Sequence, residues 1–265
     1  MKFICRIIFL SFIVFFFLFY LFLQNKSGRK ENIGSGQSLI AGGIIPHHQV
    51  AGFMIDDFFL RIKKQAPSTI ILIGPNHFEL GDAWVVSADC LLSGDKKVSI
   101  KSDTVKEMED KGLVKTDNGI VDQEHSIMSI IPYIQKYLPQ TEIIPIIFKK
   151  GSPLSKIEKI TDFLVENYNT KTVIISSVDF SHYLTAKLAE KNDKISINAI
   201  KNSDYRQIYQ FNNAFLDSPP SVILLLGTME KLGRKNLEIL NHSNSGTLLG
   251  KNFMQTTSYY EIAFH

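Results

Sequence analysis

Apolar and polar positions fall into three successive patterns along the chain. Residues 7–23 form an apolar run broken only by Ser11, preceded by Lys2 and Arg6. A run of about 17 residues rises roughly 25 Å as a helix, just short of a bilayer's hydrocarbon core. The stretch Leu23-Gln24-Asn25-Lys26-Ser27 lacks the small-residue pattern of a signal cleavage site, so residues 1–24 are read as an uncleaved signal anchor, a single transmembrane helix. Positive charges flank both sides, with Lys26, Arg29 and Lys30 following, and the reading adopted is a membrane-anchored chain whose domain lies outside the cytoplasm. Residues 25–37 carry Ser27, Gly28, Gly34, Ser35 and Gly36 without apolar periodicity and read as a flexible linker.

Across residues 38–265, short β-branched apolar runs alternate with longer stretches of three-and-four periodicity, the pattern of one α/β domain. Strands are predicted at residues 38–46, 69–74, 83–88, 142–148, 172–177, 236–240 and 254–263. Helices are predicted at residues 50–65, 102–112, 126–137, 153–167, 185–202 and 219–233. The runs at 69–74 and 172–177 are apolar on both faces, which makes them central parallel strands covered from both sides. The expected fold is therefore α/β, a largely parallel central sheet flanked by helices on both faces and preceded by one N-terminal transmembrane helix. Ligands bind such sheets beyond the carboxyl ends of the strands.

Composition narrows the function classes. A chain of 265 residues, 45% hydrophobic and 21% charged, can bury a full core and is neither a disordered chain nor a collagen-like fibre nor a multi-pass membrane protein. A formal net charge of +3 with no dense Lys/Arg cluster argues against nucleic acid as a partner. Cys5 and Cys90 cannot make a disulfide framework, and Cys90, beside Leu91 and Leu92 with no adjacent base, reads as a buried small residue. A radical-SAM activity is excluded, because its three closely spaced cysteines are absent.

The histidines carry the chemistry. His47 and His48 follow the first predicted strand of the domain, His77 ends the turn Gly74-Pro75-Asn76-His77 after the second, and His182 closes Asp179-Phe180-Ser181-His182 after the strand at 172–177. If those strands are parallel neighbours, their loops open on one edge of the sheet, where imidazoles converge on a metal or a substrate. Asp122-Gln123-Glu124-His125-Ser126 precedes a helix and has two readings: Asp122 caps the helix, or His125 serves near the metal with Glu124 orienting it. Asp179 and His182 suit acid–base work or substrate binding, or else an N-cap beside a surface histidine. His242 and His265 are read as structural, with His242 placed where it could line the same cleft.

Pro46-His47, Gly74-Pro75-Asn76-His77, Glu124-His125-Ser126, Asp179-Phe180-Ser181-His182 and Ser258-Tyr259-Tyr260 resemble, in order and spacing, the Memo-like proteins, whose bacterial and archaeal members are called AmmeMemoRadiSam system protein B. The resemblance covers residues 39–265. It implies an α/β fold related to the class III extradiol dioxygenases, which bind non-haem iron, and a metal pocket held by His47, His77 and a cysteine of a later Cys-Gly-x-x-Pro stretch. The family name also implies a radical-SAM protein as a partner. This chain departs at two places: Leu216 stands at the cysteine position, with Asp217 next to it, and His48-Gln49 replaces the family's Ala-Gly.

With Asp217 in the cysteine's stead, His47, His77 and Asp217 make the two-imidazole, one-carboxylate set of non-haem Fe(II) oxygenases. A carboxylate in place of a thiolate shifts preference from copper(I) toward Fe(II), with Zn(II), Mn(II) or copper as alternatives. Asp217 could equally cap the helix that begins at Pro219, and His48 competes as a ligand. His125, Asp179 and His182 are then the expected catalytic groups, and His48, Asn76 and Ser181 the groups expected at a small-molecule substrate. Two function classes follow: a metal-dependent oxidoreductase, or a non-catalytic protein that binds a metal, small molecule or peptide. A serine hydrolase fits less well, since neither Ser126 nor Ser181 sits in a Gly-x-Ser-x-Gly elbow.

Overall fold

Buried β-branched runs, each stopped by turn residues, build the centre of the molecule. The computed structural model describes residues 39–89, 91–93, 96–250 and 255–265. Its strands are β1 (Gly42–Ile45), β2 (Thr69–Pro75), β3 (Val85–Ser87), β4 (Leu91–Ser93), β5 (Lys96–Val98), β6 (Lys115–Thr116), β7 (Glu142–Phe148), β8 (Thr172–Ser177), β9 (Leu237–Asn244) and β10 (Ser258–Phe264). β4 and β5 pair with each other, and the other eight form one sheet in the order β6-β3-β7-β2-β8-β1-β10-β9.

β7, β2, β8 and β1 are parallel neighbours, with Ile71 opposite both Ile144 and Ile174. Alternate side chains of these strands enter two separate cores. Ile44, Ile71, Ile73, Ile144, Ile146 and Ile174 pack against helices Leu154–Glu166 and Pro219–Lys231. Ile45, Ile70, Leu72, Ile147, Val173 and Ile175 pack against helices Gly52–Lys63 and Ile131–Tyr137. Burial on both faces explains why these strands read as unbroken apolar runs. It also places the loops after β1, β2 and β8 along one edge.

The expectation of a largely parallel sheet preceded by a transmembrane helix is corrected to a mixed α/β sheet with flanking helices. β3 runs antiparallel to β7, and β10 runs antiparallel to both β1 and β9, so both flanks of the parallel centre reverse direction. β9 is half-exposed along its length, which suits an antiparallel edge that faces water on one side. Among the described residues no helix is long and apolar enough to cross a membrane. The longest, Ala186–Lys201, spans about 24 Å and carries a polar face. The anchor read at residues 1–24 and the linker read at 25–37 lie outside the described residues, as do Cys5 and Cys90. The expected membrane-anchored, extracytoplasmic placement is corrected to the finding that no helix among the described residues is long and apolar enough to cross a membrane.

Candidate metal centre

Each of the three parallel strands β1, β2 and β8 hands the chain to a loop that carries site residues. After β1, Pro46 leads to His47, which is 2% exposed. Its Nδ1 lies 3.2 Å from the Ser177 carbonyl at the end of β8, and its backbone N–H donates to Asp179 Oδ1 at 3.1 Å. After β2, His77 Nδ1 meets Glu124 Oε1 at 2.7 Å while the His77 backbone N–H donates to Oε2 at 2.8 Å. After β8, His182 Nδ1 lies 2.5 Å from the Phe180 carbonyl. All three imidazoles therefore have Nδ1 against an acceptor, which places a proton at Nδ1 and leaves Nε2 as the ring atom that faces the site.

Those Nε2 atoms face two buried carboxylates. His47 Nε2 is 3.4 Å from Asp217 Oδ2 and 3.7 Å from Asp179 Oδ2. His77 Nε2 is 3.7 Å from Asp217 Oδ2, and His182 Nε2 is 3.9 Å from Asp179 Oδ2. The two acids are fixed to each other through the backbone: Asp179 N–H donates to Asp217 Oδ2, and Asp217 N–H donates to the Asp179 carbonyl, both at 3.2 Å. His125 stacks on His77 with ring centres 3.9 Å apart and stands edge-on to His47 at 5.0 Å. Ligand atoms of His47, His77 and His125 lie within 4.8 Å of one another, and so do those of His47, Asp179 and Asp217.

The charges are tuned by burial and by these contacts. For His77, burial favours the neutral ring but is outweighed by the hydrogen bonds to Asp217 and Glu124 and by their charges, which raise its pKa to about 9. Burial lowers His47, and burial together with the charges of His77 and His47 lowers His125 to about 4. Burial, then the charge of Asp217, pushes Asp179 up to about 7. Burial opposes ionisation of Asp217 too, yet the hydrogen bond to His77 and the nearby imidazoles hold it below the ordinary carboxylate range. One carboxylate ionised beside one near half-protonation is the usual outcome of a close acid pair.

The structure thus brings His47, His77, His125, Asp179, His182 and Asp217 together. It leaves three other expected residues elsewhere. His48 is exposed, with Nδ1 3.0 Å from the Tyr259 hydroxyl and its ring stacked on Tyr259. Asn76 closes its own loop, its amide bonding the backbone of Leu80 in both directions. Ser181 is fully buried and donates to Asp193 Oδ1 at 2.7 Å. Ser126 is likewise buried, donating to the Pro75 carbonyl.

Ser218 holds the N-cap position of helix Pro219–Lys231 without a side-chain cap bond, and the carboxylate of Asp217 lies against the imidazoles rather than on the helix end. Glu124 is the acid that opens helix His125–Met128, accepting from Ser126 N–H. Glu124 Oε1 lies 3.5 Å from His125 Nδ1, and its short bonds go to His77. Its signal, an acid just ahead of a histidine-bearing helix, was in view, but the sequence does not show which imidazole it reaches.

Imidazoles and carboxylates gathered at the carboxyl edge of a parallel core define an α/β protein with a candidate metal-binding pocket. A family model described as Memo-like protein matches residues 23–262. The chain belongs to the Memo-like family. It is 24% identical over 262 residues to a MEMO1 family protein of Pyrobaculum aerophilum, covering 92% of this chain and 89% of that one. It is 30% identical over 220 residues to a MEMO1 family protein of Methanosarcina barkeri, covering 80% and 82%. An uncharacterized protein from Escherichia coli K12 has the same fold at 9% identity, with a TM-score of 0.58 over 85% of this chain and 100% of that one.

Proposed function

We propose that the chain is a metal-binding protein of the Memo-like family in which His47, His77 and Asp217 hold one divalent ion, with redox or oxygenase-type chemistry at that ion. The observation that carries the reading is the anchoring of His47 and His77 through Nδ1, which turns both Nε2 atoms toward the Asp217 carboxylate. Holding a ligand histidine by its second nitrogen is how metal sites fix tautomer and ring orientation. The residues present fit an ion: Asp217 Oδ1 is buried and finds no hydrogen-bond donor among the described residues. Two imidazoles and a carboxylate suit Fe(II) first, with Zn(II) and Mn(II) as alternatives, and favour them over copper, since the soft thiolate is missing. Such an ion supplies Lewis acidity and, if redox-active, electron transfer to a bound small molecule.

The chain's own groups do the rest. Glu124 and the Ser177 carbonyl hold the rings. Asp179, pushed up to about 7 by burial and the charge of Asp217, has Oδ2 3.9 Å from His182 Nε2, which makes the two the candidate acid–base pair beside the ion. A second reading, a non-catalytic binding protein, draws on the buried Leu216 at the family's cysteine position and on Asn76 and Ser181, whose polar groups are committed to internal bonds.

Elemental analysis of the full chain, purified without chelator, tests the metal. About one equivalent of iron, zinc or manganese is expected, lost in His77→Ala and in Asp217→Ala with the circular dichroism spectrum unchanged. Unchanged metal content in the Asp217 variant would refute that ligand set. Turnover that vanishes in His77→Ala separates the enzyme from the binding protein.

A further inference from the structure

The loop that carries Asp179 and His182 is gripped from behind by a second polar cluster. Ser181 Oγ donates to Asp193 Oδ1 at 2.7 Å, and Asp193 Oδ2 meets His242 Nε2 at 3.0 Å. The His242 ring stacks on Tyr260, centres 4.0 Å apart and planes 16° from parallel, and Tyr260 packs on Phe180 at 4.6 Å. Phe180 precedes Ser181, so the contacts close a circuit on the loop itself. β10 secures the same two residues through the backbone, by Phe180 N–H to the Ser258 carbonyl and Ser258 N–H to the Ser181 carbonyl, each at 2.9 Å.

Asp193 is the unexpected member. It lies within helix Ala186–Lys201 and is 1% exposed. Aspartate is a poor interior helix residue, and a buried carboxylate is costly unless hydrogen-bonded on both oxygens. An alanine or leucine would serve the helix and the packing better, so what the acid adds is its two bonds. Those bonds fix the middle of the four-residue run, Phe180 and Ser181, and leave its ends, Asp179 and His182, facing His47 and each other. The order Ser–Asp–His, with the acid in the middle and the serine buried, is not that of a hydrolytic triad.

We propose that Asp193 and His242 are positioning residues of the metal centre, acting through Ser181 to set Asp179 and His182. The inference rests on the metal-binding reading above. The His242 side chain is 34% exposed, so the circuit also reaches the surface and can be altered there without opening the core.

Two readouts on the full chain test it, cobalt(II) affinity with its visible spectrum, and the tautomer of His182 by nitrogen-15 NMR without metal. Asp193→Ala and His242→Ala are expected to weaken cobalt binding by up to roughly tenfold, the low end for direct partners of ligands, because they reach the ligands only through the bonds of Asp179 to Asp217 Oδ2 and to the His47 backbone N–H. In both variants His182 leaves the Nδ1–H form. His242→Gln restores an N–H donor and is expected to recover most of the affinity, a rescue that a purely structural role does not require. Lowered melting temperature with unchanged cobalt affinity and His182 tautomer would overturn the proposal. If wild type binds no cobalt, the metal reading fails, and the His182 tautomer alone decides whether the circuit positions the loop. His242→Ala, being near the surface, keeps the test open should Asp193→Ala fail to fold.

Discussion

His77 stands between Glu124 and Asp217 and carries a proton that an incoming cation must displace. Its pKa, raised to about 9, makes metal uptake a competition with protons. Affinity for zinc is therefore expected to rise by about tenfold per pH unit toward pH 9 and then level off, which a chelator titration from pH 6 to pH 10 would read. A flat profile would show that His77 is not displaced. The sign for the metal-free protein is opposite: a histidine raised in the fold contributes stability fully present below its ordinary 6.5 and lost as pH rises through about 9. The residue scale was largely open to sequence reading, because strand ends carry functional groups and histidines at three of them stand out. Asn76 and Ser181 sat in the same motifs, yet their side chains serve loop closure and Asp193. Residue type and position alone do not reveal which way a side chain turns.

Two glycines let the strands do their work. A methyl on Gly43 of β1 would run into the Phe58 ring and lie 2.7 Å from the Ile262 carbonyl. Gly43→Ala is expected to cost about 1 to 3 kcal/mol by overpacking, read by urea unfolding. A methyl on Gly74 of β2 would strike Ser126 Oγ and lie 2.8 Å from its Cβ. Gly74→Ala is expected to lower metal affinity more than stability, because Ser126 is held at the start of the helix that Glu124 opens. The boundaries of β7 and β8 were legible in full, since both are buried on two faces. The helix predicted at 126–137 divides into His125–Met128 and Ile131–Tyr137, with Pro132 in the first turn of the second piece, where a missing N–H is tolerated. β9 runs on to Asn244 through Asn241-His242-Ser243-Asn244, residues whose turn preference hid the second half of the strand predicted at 236–240 and, with it, the partner of Asp193. β4, β5 and β6 escaped because two or three residues are too few to show a period.

Across the whole molecule the largest departure is the reversed direction of the flanking strands, which sequence periodicity does not encode: a strand reads alike in either direction. That reversal seats Glu261 of β10 opposite Asn241, fully buried. Its Oε1 lacks a donor among the described residues, and Arg61 Nε lies 4.0 Å away. Burial pushes Glu261 up to about 7, with Asn241 opposing and the charge of Asp57 adding to the rise. A carboxyl raised in the fold favours folding at low pH, and that advantage is lost as pH climbs from about 4.5 through about 7. Glu261→Gln is expected to melt roughly 3 °C above wild type at pH 8 and level with it at pH 4.5, by differential scanning calorimetry. The same placement of β10 has a consequence for synthesis. β1 carries the chain to His47, yet its neighbours come from far downstream, Ile44 lying beside both Ser176 and Ile262. A ribosome delivers residues in order, so the first imidazole is made early and seated late.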